Sequence, residues 1–187
     1  MIKKIIVFFI FSFAILISSG YVRPDTYKID AQKNAIYHND MGLKAVADGE
    51  YIRAVQEFCI AISLNPRTQA TAVYYNNLGE TYMKVGYYKD AEKCFETALI
   101  QYNLNFLYYQ NLVKSFKAQG KLGQKIKFYQ AKGDKNPLTR VMLGLLYIAN
   151  GDRRRGIIKL DEFCMREPNL LITDSVRSYL QTVVQKK

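Results

Sequence analysis

Apolar and small residues recur at intervals of three and four positions through most of the chain, the spacing that places them on one face of an α-helix. Short polar stretches with Gly or Pro separate these segments, and Pro66, Pro137 and Pro168 should break helical runs because proline lacks an amide donor. The pattern therefore predicts a series of helices joined by short turns. The predicted helices cover residues 36–48, 51–64, 71–85, 88–101, 105–119, 122–133, 138–150, 153–166 and about 170–185.

The chain also repeats itself. Residues 73–86 (VYYNNLGETYMKVG) align with residues 107–120 (LYYQNLVKSFKAQG), a shift of 34 positions. Further copies lie around Gly42 and Gly144. A turn glycine follows each copy's anchor position by seven residues, at Gly49, Gly86, Gly120 and Gly151. A fixed period of about 20 to 50 residues is typical of a solenoid of stacked helical units.

The second copy resembles the tetratricopeptide repeat, whose pattern is a large residue, then Leu, Gly, Tyr, a turn, Ala, Phe, Ala and Pro. It carries all of these except the proline, at Tyr75, Leu78, Gly79, Tyr82, Gly86, Tyr88, Ala91, Phe95 and Ala98. The first copy matches over residues 38–66 and the fourth over residues 143–168. The third departs from the pattern, with Val113, Lys125 and Lys132 where small residues are usual.

The resemblance implies an all-α fold, a right-handed superhelical solenoid of about four helix-turn-helix repeats. We expect the repeats at about residues 35–68, 72–105, 106–136 and 137–168. A C-terminal capping helix within residues 169–187 should cover the open end. Small residues such as Gly79 and Ala91 should let paired helices approach closely, with Phe95 filling the space between layers. The expected apolar stripe of the capping helix is Leu171, Val176, Leu180 and Val183 or Val184.

The first 22 residues form a separate region. Lys3 and Lys4 precede an apolar run over residues 5–17, and the small residues 18–20 follow, an order that matches a secretory signal. The run is short for a bilayer, but extension to Val22 makes it long enough for an uncleaved anchor. We expect residues 1–22 to be a signal peptide or an N-terminal membrane anchor and residues 23–34 a linker. The rest of the chain should then lie outside the cytoplasm, in the periplasm, the cell envelope or the medium.

Positive charge is concentrated in the C-terminal half. The net charge is +11, and residues 103–187 hold sixteen Lys and Arg against six Asp and Glu. The sharpest basic cluster is Arg153, Arg154, Arg155 and Lys159 on one predicted helix. A solvated helix start is one interpretation; the other is a membrane-surface protein whose basic half binds anionic lipid or polymer. Nucleic acid is not expected as a partner, because export would separate the chain from it.

Chemistry-bearing residues are sparse. His38 is the only histidine, it occupies a packing position of the repeat, and no metal-ligand spacing surrounds it. Neither a nucleophile with a base nor a Gly-rich phosphate loop occurs. Cys59, Cys94 and Cys164 have no paired spacing and are interpreted as small buried residues, with Cys59 and Cys94 the pair to bridge if any does. The sequence predicts no enzyme, no metal, no cofactor and no small-molecule substrate.

The resemblance further implies a protein or peptide partner, bound in a concave groove lined by the first helix of each repeat. The candidate groove residues are Asn39, Asn76, Asn77, Glu80, Lys84, Gln110, Asn111, Lys114 and Lys117. Asn77 and Asn111 match the asparagine with which the family often holds a peptide backbone. Replacing both by Ala should then weaken binding without lowering the melting temperature.

The chaperone-binding members of the family use a carboxylate clamp, and this chain departs from it. Asn39, Leu43, Leu107 and Asn111 stand where Lys, Asn, Lys and Arg are expected, so only Asn77 agrees. A C-terminal EEVD-type ligand is therefore not expected. The lysines of the groove favour an acidic or extended peptide, and the leading hypothesis is a non-catalytic scaffold or assembly factor.

Overall fold

A computed structural model describes residues 30–133 and 136–185, and this part of the chain is helical and contains no strand. Consecutive helices pack against one another along the chain. The helices are α1 (Ala31–Ala47), α2 (Tyr51–Leu64), α3 (Gln69–Lys84), α4 (Tyr88–Gln101), α5 (Phe106–Ala118), α6 (Leu122–Lys132), α7 (Leu138–Ala149), α8 (Arg153–Arg166) and α9 (Thr173–Gln185). None of these helices is both long and apolar enough to cross a membrane.

The helix boundaries follow the sequence pattern closely. α2, α4 and α8 begin and end at the predicted residues, and the largest difference is α1, which begins at Ala31 instead of residue 36. The turn between paired helices contains a glycine with positive φ in each case, Gly49 (79°), Gly86 (83°), Gly120 (69°) and Gly151 (92°). Side chains disfavour that backbone conformation, which explains the regular spacing of these glycines. The predicted signal or anchor at residues 1–22 and the linker up to residue 29 lie outside the described residues.

The capping helix differs from the prediction at its start. It begins at Thr173, whose hydroxyl donates to the Glu167 carbonyl at 2.6 Å and whose amide donates to the Leu170 carbonyl at 2.8 Å. Leu171 was predicted to lie in its apolar stripe, and this is wrong, since Leu171 precedes the helix and is 75% exposed. The neighbouring Ile172 is buried in its place, as is Val176.

A glycine in the first helix of a pair lets the second helix approach closely. A β-carbon at Gly42 in α1 would lie 2.6 Å from Phe58 Cε1, and a β-carbon at Gly79 in α3 would lie 2.6 Å from Phe95 Cε1. Both phenylalanines are completely buried. Any side chain at these glycines would therefore overlap a core ring.

The third pair lacks this close approach. α5 and α6 contact each other much less than α1 and α2 or α3 and α4 do. Val113 occupies the position of Gly79, and Lys125 occupies that of Ala91. Their bulk keeps the two helices apart, and the Lys125 ammonium instead lies 4.1 Å from the centre of the Phe116 ring. The departures from the repeat pattern thus have a direct structural effect.

The apolar core is unevenly distributed along the solenoid. The largest cluster of buried residues runs from Ala91 in α4 to Val176 in α9 and includes residues of every helix between them. Three smaller clusters hold the rest of the array together, and one of them packs Tyr74 against Ala35 and Ala61. Most of the buried apolar side chains therefore belong to the C-terminal half.

The N-terminal end of the array is adapted to solvent. Tyr74 and Tyr108 are each 2% exposed because a preceding helix pair covers them, whereas Tyr37 at the same position of α1 is 59% exposed. Seven positions after Tyr37 on the same side, Lys44 of α1 is exposed where α3 has the buried Thr81. A charged outer side is what a terminal repeat needs to remain soluble.

Candidate functional site

The exposed side chains of α1, α3 and α5 form one continuous surface, which we call the first-helix face. Hydrogen bonds between asparagines join the three helices along it. Asn77 Nδ2 in α3 donates to Asn39 Oδ1 in α1 at 2.8 Å, and Asn111 Nδ2 in α5 donates to Asn76 Oδ1 in α3 at 2.9 Å. These bonds fix the register between successive repeats.

Asn111 is the centre of this polar network. Besides its bond to Asn76, its Nδ2 donates to Glu80 Oε1 at 2.6 Å, and its Oδ1 accepts from Lys114 Nζ at 3.1 Å. Asn76 Nδ2 also donates to Glu80 Oε1, at 3.2 Å. Both amide hydrogens of Asn111 are therefore used inside the protein.

This geometry changes the interpretation of the predicted groove asparagines. Asn39, Asn76 and Asn111 are 8%, 4% and 3% exposed. Their amides stabilise the contact between repeats and are not free to hold a peptide backbone. Asn77 is only partly buried, but its amide also bonds within the array.

The side chains that the first-helix face presents to solvent are mainly apolar or basic, and Asp40 of α1 is an exposed acid among them. The apolar ones are Ile36 and Leu43, each 46% exposed, and Val73 and Leu107, each 43% exposed. Lys84, Lys114 and Lys117 are exposed on the same helices, and Gln110 and Glu80 are partly buried among them. Of the predicted groove residues, the three lysines are thus the ones most accessible to a ligand.

Most of the predicted basic cluster has partners within the protein. Arg153 Nη2 donates to the Val183 carbonyl near the end of α9. The Arg155 guanidinium bonds to Asp152 and stacks on the Tyr147 ring, with its central carbon 4.9 Å from the ring centre. Lys159 pairs with Glu162 at 2.7 Å. The Arg155 side chain remains 65% exposed in its pair, and lipid binding by this cluster stays a prediction.

Asp152 explains why arginines are tolerated at the start of α8. Its carboxylate accepts from the Arg155 backbone amide at 3.1 Å and caps the helix. Hydrogen bonds from the Arg155 amide and guanidinium hold the pKa of Asp152 below its ordinary value. Arg154 alone among the three arginines is exposed without a bonded partner in the described part of the chain.

The sequence did not predict where the first-helix face ends. Residues 138–147 of α7 are all buried, so the face does not continue onto this helix. Tyr179 of α9 contacts α5 directly, and its ring centre lies 5.4 Å from that of Phe106. A pocket of about 240 Å³ lies beside Tyr179 and is lined by Gln110, Val113, Lys114, Lys117, Leu145, Ile148 and Ala149. Helical spacing from Val176 would have placed Tyr179 on the packed side of α9.

The sequence also did not predict a partly buried acid between α4 and α6. Glu92 accepts from Lys125 at 2.7 Å, Lys121 at 3.0 Å and Gln119 at 2.7 Å. Burial pushes the pKa of Glu92 upward, but the hydrogen bonds from Lys125, Gln119 and Lys121 outweigh it and hold the pKa below its ordinary value. The sequence did contain one sign of this cluster, because a lysine stands at position 125 where the repeat pattern has a small residue.

The remaining candidates for chemistry are structural. His38 Nδ1 lies 2.7 Å from Glu57 Oε2 and joins α1 to α2. The three cysteines are free thiols, and Cys59 is exposed, contrary to its interpretation as buried. Burial raises the pKa of the Cys94 thiol to about 12, so this thiol is unreactive. In residues 30–133 and 136–185, no three His, Cys, Asp or Glu side chains are arranged to hold a metal ion.

Residues 72–105, which include most of α3 and all of α4, match the family model of the tetratricopeptide repeat. The match covers one helix pair of the chain. Among curated protein sequences, none matches the chain. The likeness to tetratricopeptide-repeat proteins is therefore mainly a likeness of fold.

Solved structures share this fold at low sequence identity. A tetratricopeptide repeat protein from Parabacteroides merdae is 15% identical with a TM-score of 0.51, over 81% of this chain and 60% of its own. The MamA protein is 18% identical with a TM-score of 0.50, over 82% of this chain and 92% of its own. Pseudomonas aeruginosa pilF is 16% identical with a TM-score of 0.50, over 80% of this chain and 68% of its own. The predicted all-helical tetratricopeptide-repeat solenoid is confirmed.

Proposed function

We propose that this protein is a non-catalytic scaffold that binds an extended acidic peptide segment of a partner protein along the first-helix face. The repeat fold supports binding of a protein or peptide as its general role. Repeat arrays present long continuous surfaces of this kind to their partners. The charge and apolarity of the face narrow that role to an acidic segment with apolar side chains.

The observation that carries the proposal is the combination of exposed apolar residues and exposed lysines on one face. Val73 and Leu107 are each 43% exposed on successive first helices. Lys84 and Lys117 lie on the same two helices and have no bonded acidic partner in residues 30–133 and 136–185. A partner with apolar side chains and carboxylates would bury Val73 and Leu107 and would pair with the two lysines.

A binding assay with defined peptides tests this function. Peptides of about ten residues are long enough to cross three helices spaced about 10 Å apart, since an extended residue spans about 3.3 Å. We expect the full-length chain to bind peptides that mix Asp or Glu with aliphatic residues, and to bind them more weakly as salt rises. Leu107→Glu should abolish this binding. The matched control is Ile158→Glu, which places the same charge at an exposed isoleucine of α8, outside the face.

Two results would contradict the peptide-binding function. The first is binding that Leu107→Glu and Ile158→Glu weaken equally. The second is a preference of the chain for basic over acidic peptides of the same apolar content. Thermal melts of both variants check that each remains folded.

We also propose that the protein acts outside the cytoplasm, through the N-terminal segment whose sequence matches an export signal or anchor. A fusion of residues 1–30 to a reporter active only outside the cytoplasm should give activity, and removal of residues 5–17 should abolish it. The mass of the mature protein then separates the two forms, because a cleaved signal removes about twenty residues and an anchor removes none. Activity of the fusion without residues 5–17 would contradict this location.

A further inference from the structure

We infer that the pocket beside Tyr179 is an anchor site for one aliphatic side chain of the bound peptide, next to an acidic residue of that peptide. This inference rests on the proposed function and specifies which ligand the face selects. It concerns the end of the first-helix face, where α5, α7 and α9 meet.

The position of the pocket makes it the terminal subsite of the face. The next helix, α7, exposes none of residues 138–147, so a ligand crossing α1, α3 and α5 finds no further surface there. Tyr179 contacts Phe106, with 5.4 Å between ring centres, and so brings α9 against α5 at this end of the face. A ligand that reaches α5 therefore meets the pocket.

The size of the pocket favours a single side chain. Its volume of about 240 Å³ is below the range of about 300 to 1,000 Å³ typical of sites for whole small molecules. Tyr179 closes one side of it. Val113, Leu145 and Ile148 line the rest of it, so an aliphatic side chain packs well there, and an aromatic ring would have to share the space with the Tyr179 ring.

The chemistry of the walls defines the rest of the ligand. Val113, Leu145 and Ile148 supply an apolar lining, and Lys114 and Lys117 supply cations at the exposed edge. Lys114 bonds to the amide of Asn111, and Lys117 has no bonded acid in the described part of the chain. An aliphatic residue buried in the pocket thus brings its neighbour in the peptide close to two ammonium groups, and a carboxylate there is favoured.

The experiment uses the full-length chain and a series of acidic peptides of about ten residues, in which one central position is Ala, Val, Leu, Met, Phe or Trp. We expect Leu and Met to bind about tenfold more tightly than Ala, because they bury apolar surface in the pocket. Peptides with Phe or Trp at this position should gain less affinity over Ala than the larger apolar surface of these side chains predicts. Changing the acidic residue next to the anchor to Gln should weaken binding, and it should do so less in Lys117→Gln.

Two wall variants with opposite effects test the pocket itself. Ala149→Leu fills the pocket without removing a packing group, so the advantage of Leu over Ala in the peptide should disappear. Tyr179→Ala enlarges the pocket, so Phe and Trp should become the preferred anchors, while Tyr179→Phe should keep the preference of the parent. Thermal melts accompany each variant, and Ala149→Leu remains informative if Tyr179→Ala does not fold.

The outcomes separate this inference from the proposed function. If acidic peptides bind, Leu107→Glu abolishes binding and neither wall variant changes the side-chain preference, the anchor lies elsewhere on the face and the inference is wrong. If no acidic peptide binds, or Leu107→Glu has no effect, the proposed function itself is wrong. Binding of the acidic peptides with no preference at the central position would also overturn the anchor site.

Discussion

The ring of Phe95 in α4 lies where a β-carbon on Gly79 of α3 would have to be, with 2.6 Å between that position and Phe95 Cε1. The same relationship joins Gly42 to Phe58 in the preceding pair. The core of each close pair is therefore intolerant of a single added carbon at the glycine.

Gly79→Ala should lower the free energy of unfolding by about 1 to 3 kcal/mol, because the added methyl group overlaps a buried ring that has no space to move. Gly123→Ala is the matched control, since a β-carbon at Gly123 in α6 would meet nothing within 4 Å. Alanine favours helix more than glycine, so the control should be neutral or slightly stabilising. Chemical denaturation measures both, and equal stabilities of the two variants would contradict this packing.

Asn111→Ala should lower the free energy of unfolding by about 1 to 3 kcal/mol, because it leaves Asn76 Oδ1 without its donor and Glu80 Oε1 with one donor instead of two at a buried contact. The sequence alone predicted no change in melting temperature for Asn77→Ala with Asn111→Ala; the burial of Asn111 reverses that expectation for this residue. Gln110→Ala is the control on the same helix, at a partly buried side chain. Melting temperatures that fall equally for the two variants would argue against a special role of Asn111.

Glu92→Gln should lower the free energy of unfolding near neutral pH. It should also make that free energy less dependent on pH in the acid range. The pKa of Glu92 is lower in the folded chain than in the unfolded chain, where it is about 4.3. Its contribution is therefore complete above the unfolded pKa and is lost as the pH falls through the lower folded pKa. The difference in unfolding free energy between parent and variant should shrink as the pH falls below about 4.3.

Glu50→Gln removes an exposed carboxylate and supplies the background for this comparison. Urea denaturation at a series of pH values measures all three proteins. If the difference in unfolding free energy between the parent and Glu92→Gln stays constant from neutral to acid pH, the proposed role of the Glu92 carboxylate is wrong.

Arg153→Met should loosen α9, because it removes the hydrogen bond from the guanidinium to the Val183 carbonyl near the end of that helix. The expected cost is about 0.5 to 1.5 kcal/mol. Arg154→Met removes the adjacent charge, which is exposed, and should change stability by less than about 0.5 kcal/mol. Hydrogen exchange of the α9 amides resolves the difference, and equal protection in both variants would contradict the anchoring of α9 by Arg153.

The parts of the fold that depend on local spacing were predictable from the sequence. Turn glycines, breaking prolines and the Gly79 to Phe95 spacing act within one repeat, so their pattern is sufficient to place the helices. Whether a polar side chain is bonded within the protein or exposed to solvent depends on a neighbour far along the chain. Asn111 bonds to Asn76 and Arg153 to Val183, and no local pattern distinguishes these residues from exposed ones.

The candidate site was predictable only in part for the same reason. Helical spacing placed Lys84, Lys114 and Lys117 on the correct helices, and the family pattern suggested asparagines as ligands. Whether an asparagine faces a ligand or the next repeat depends on the distance between repeats, which spacing does not give. The pocket beside Tyr179 needs three helices from distant parts of the chain.

The uneven core has a consequence for how the molecule opens. The large cluster from Ala91 to Val176 ties α4 through α9 into one cooperative unit, whereas α1 and α2 depend on small clusters and on the Asn39 to Asn77 bond. Local opening in a repeat array costs the contacts between neighbouring units, so α1 and α2 detach at the lowest free energy. Fraying thus begins at α1 and α2, while the half that carries the pocket beside Tyr179 stays folded until the whole array unfolds.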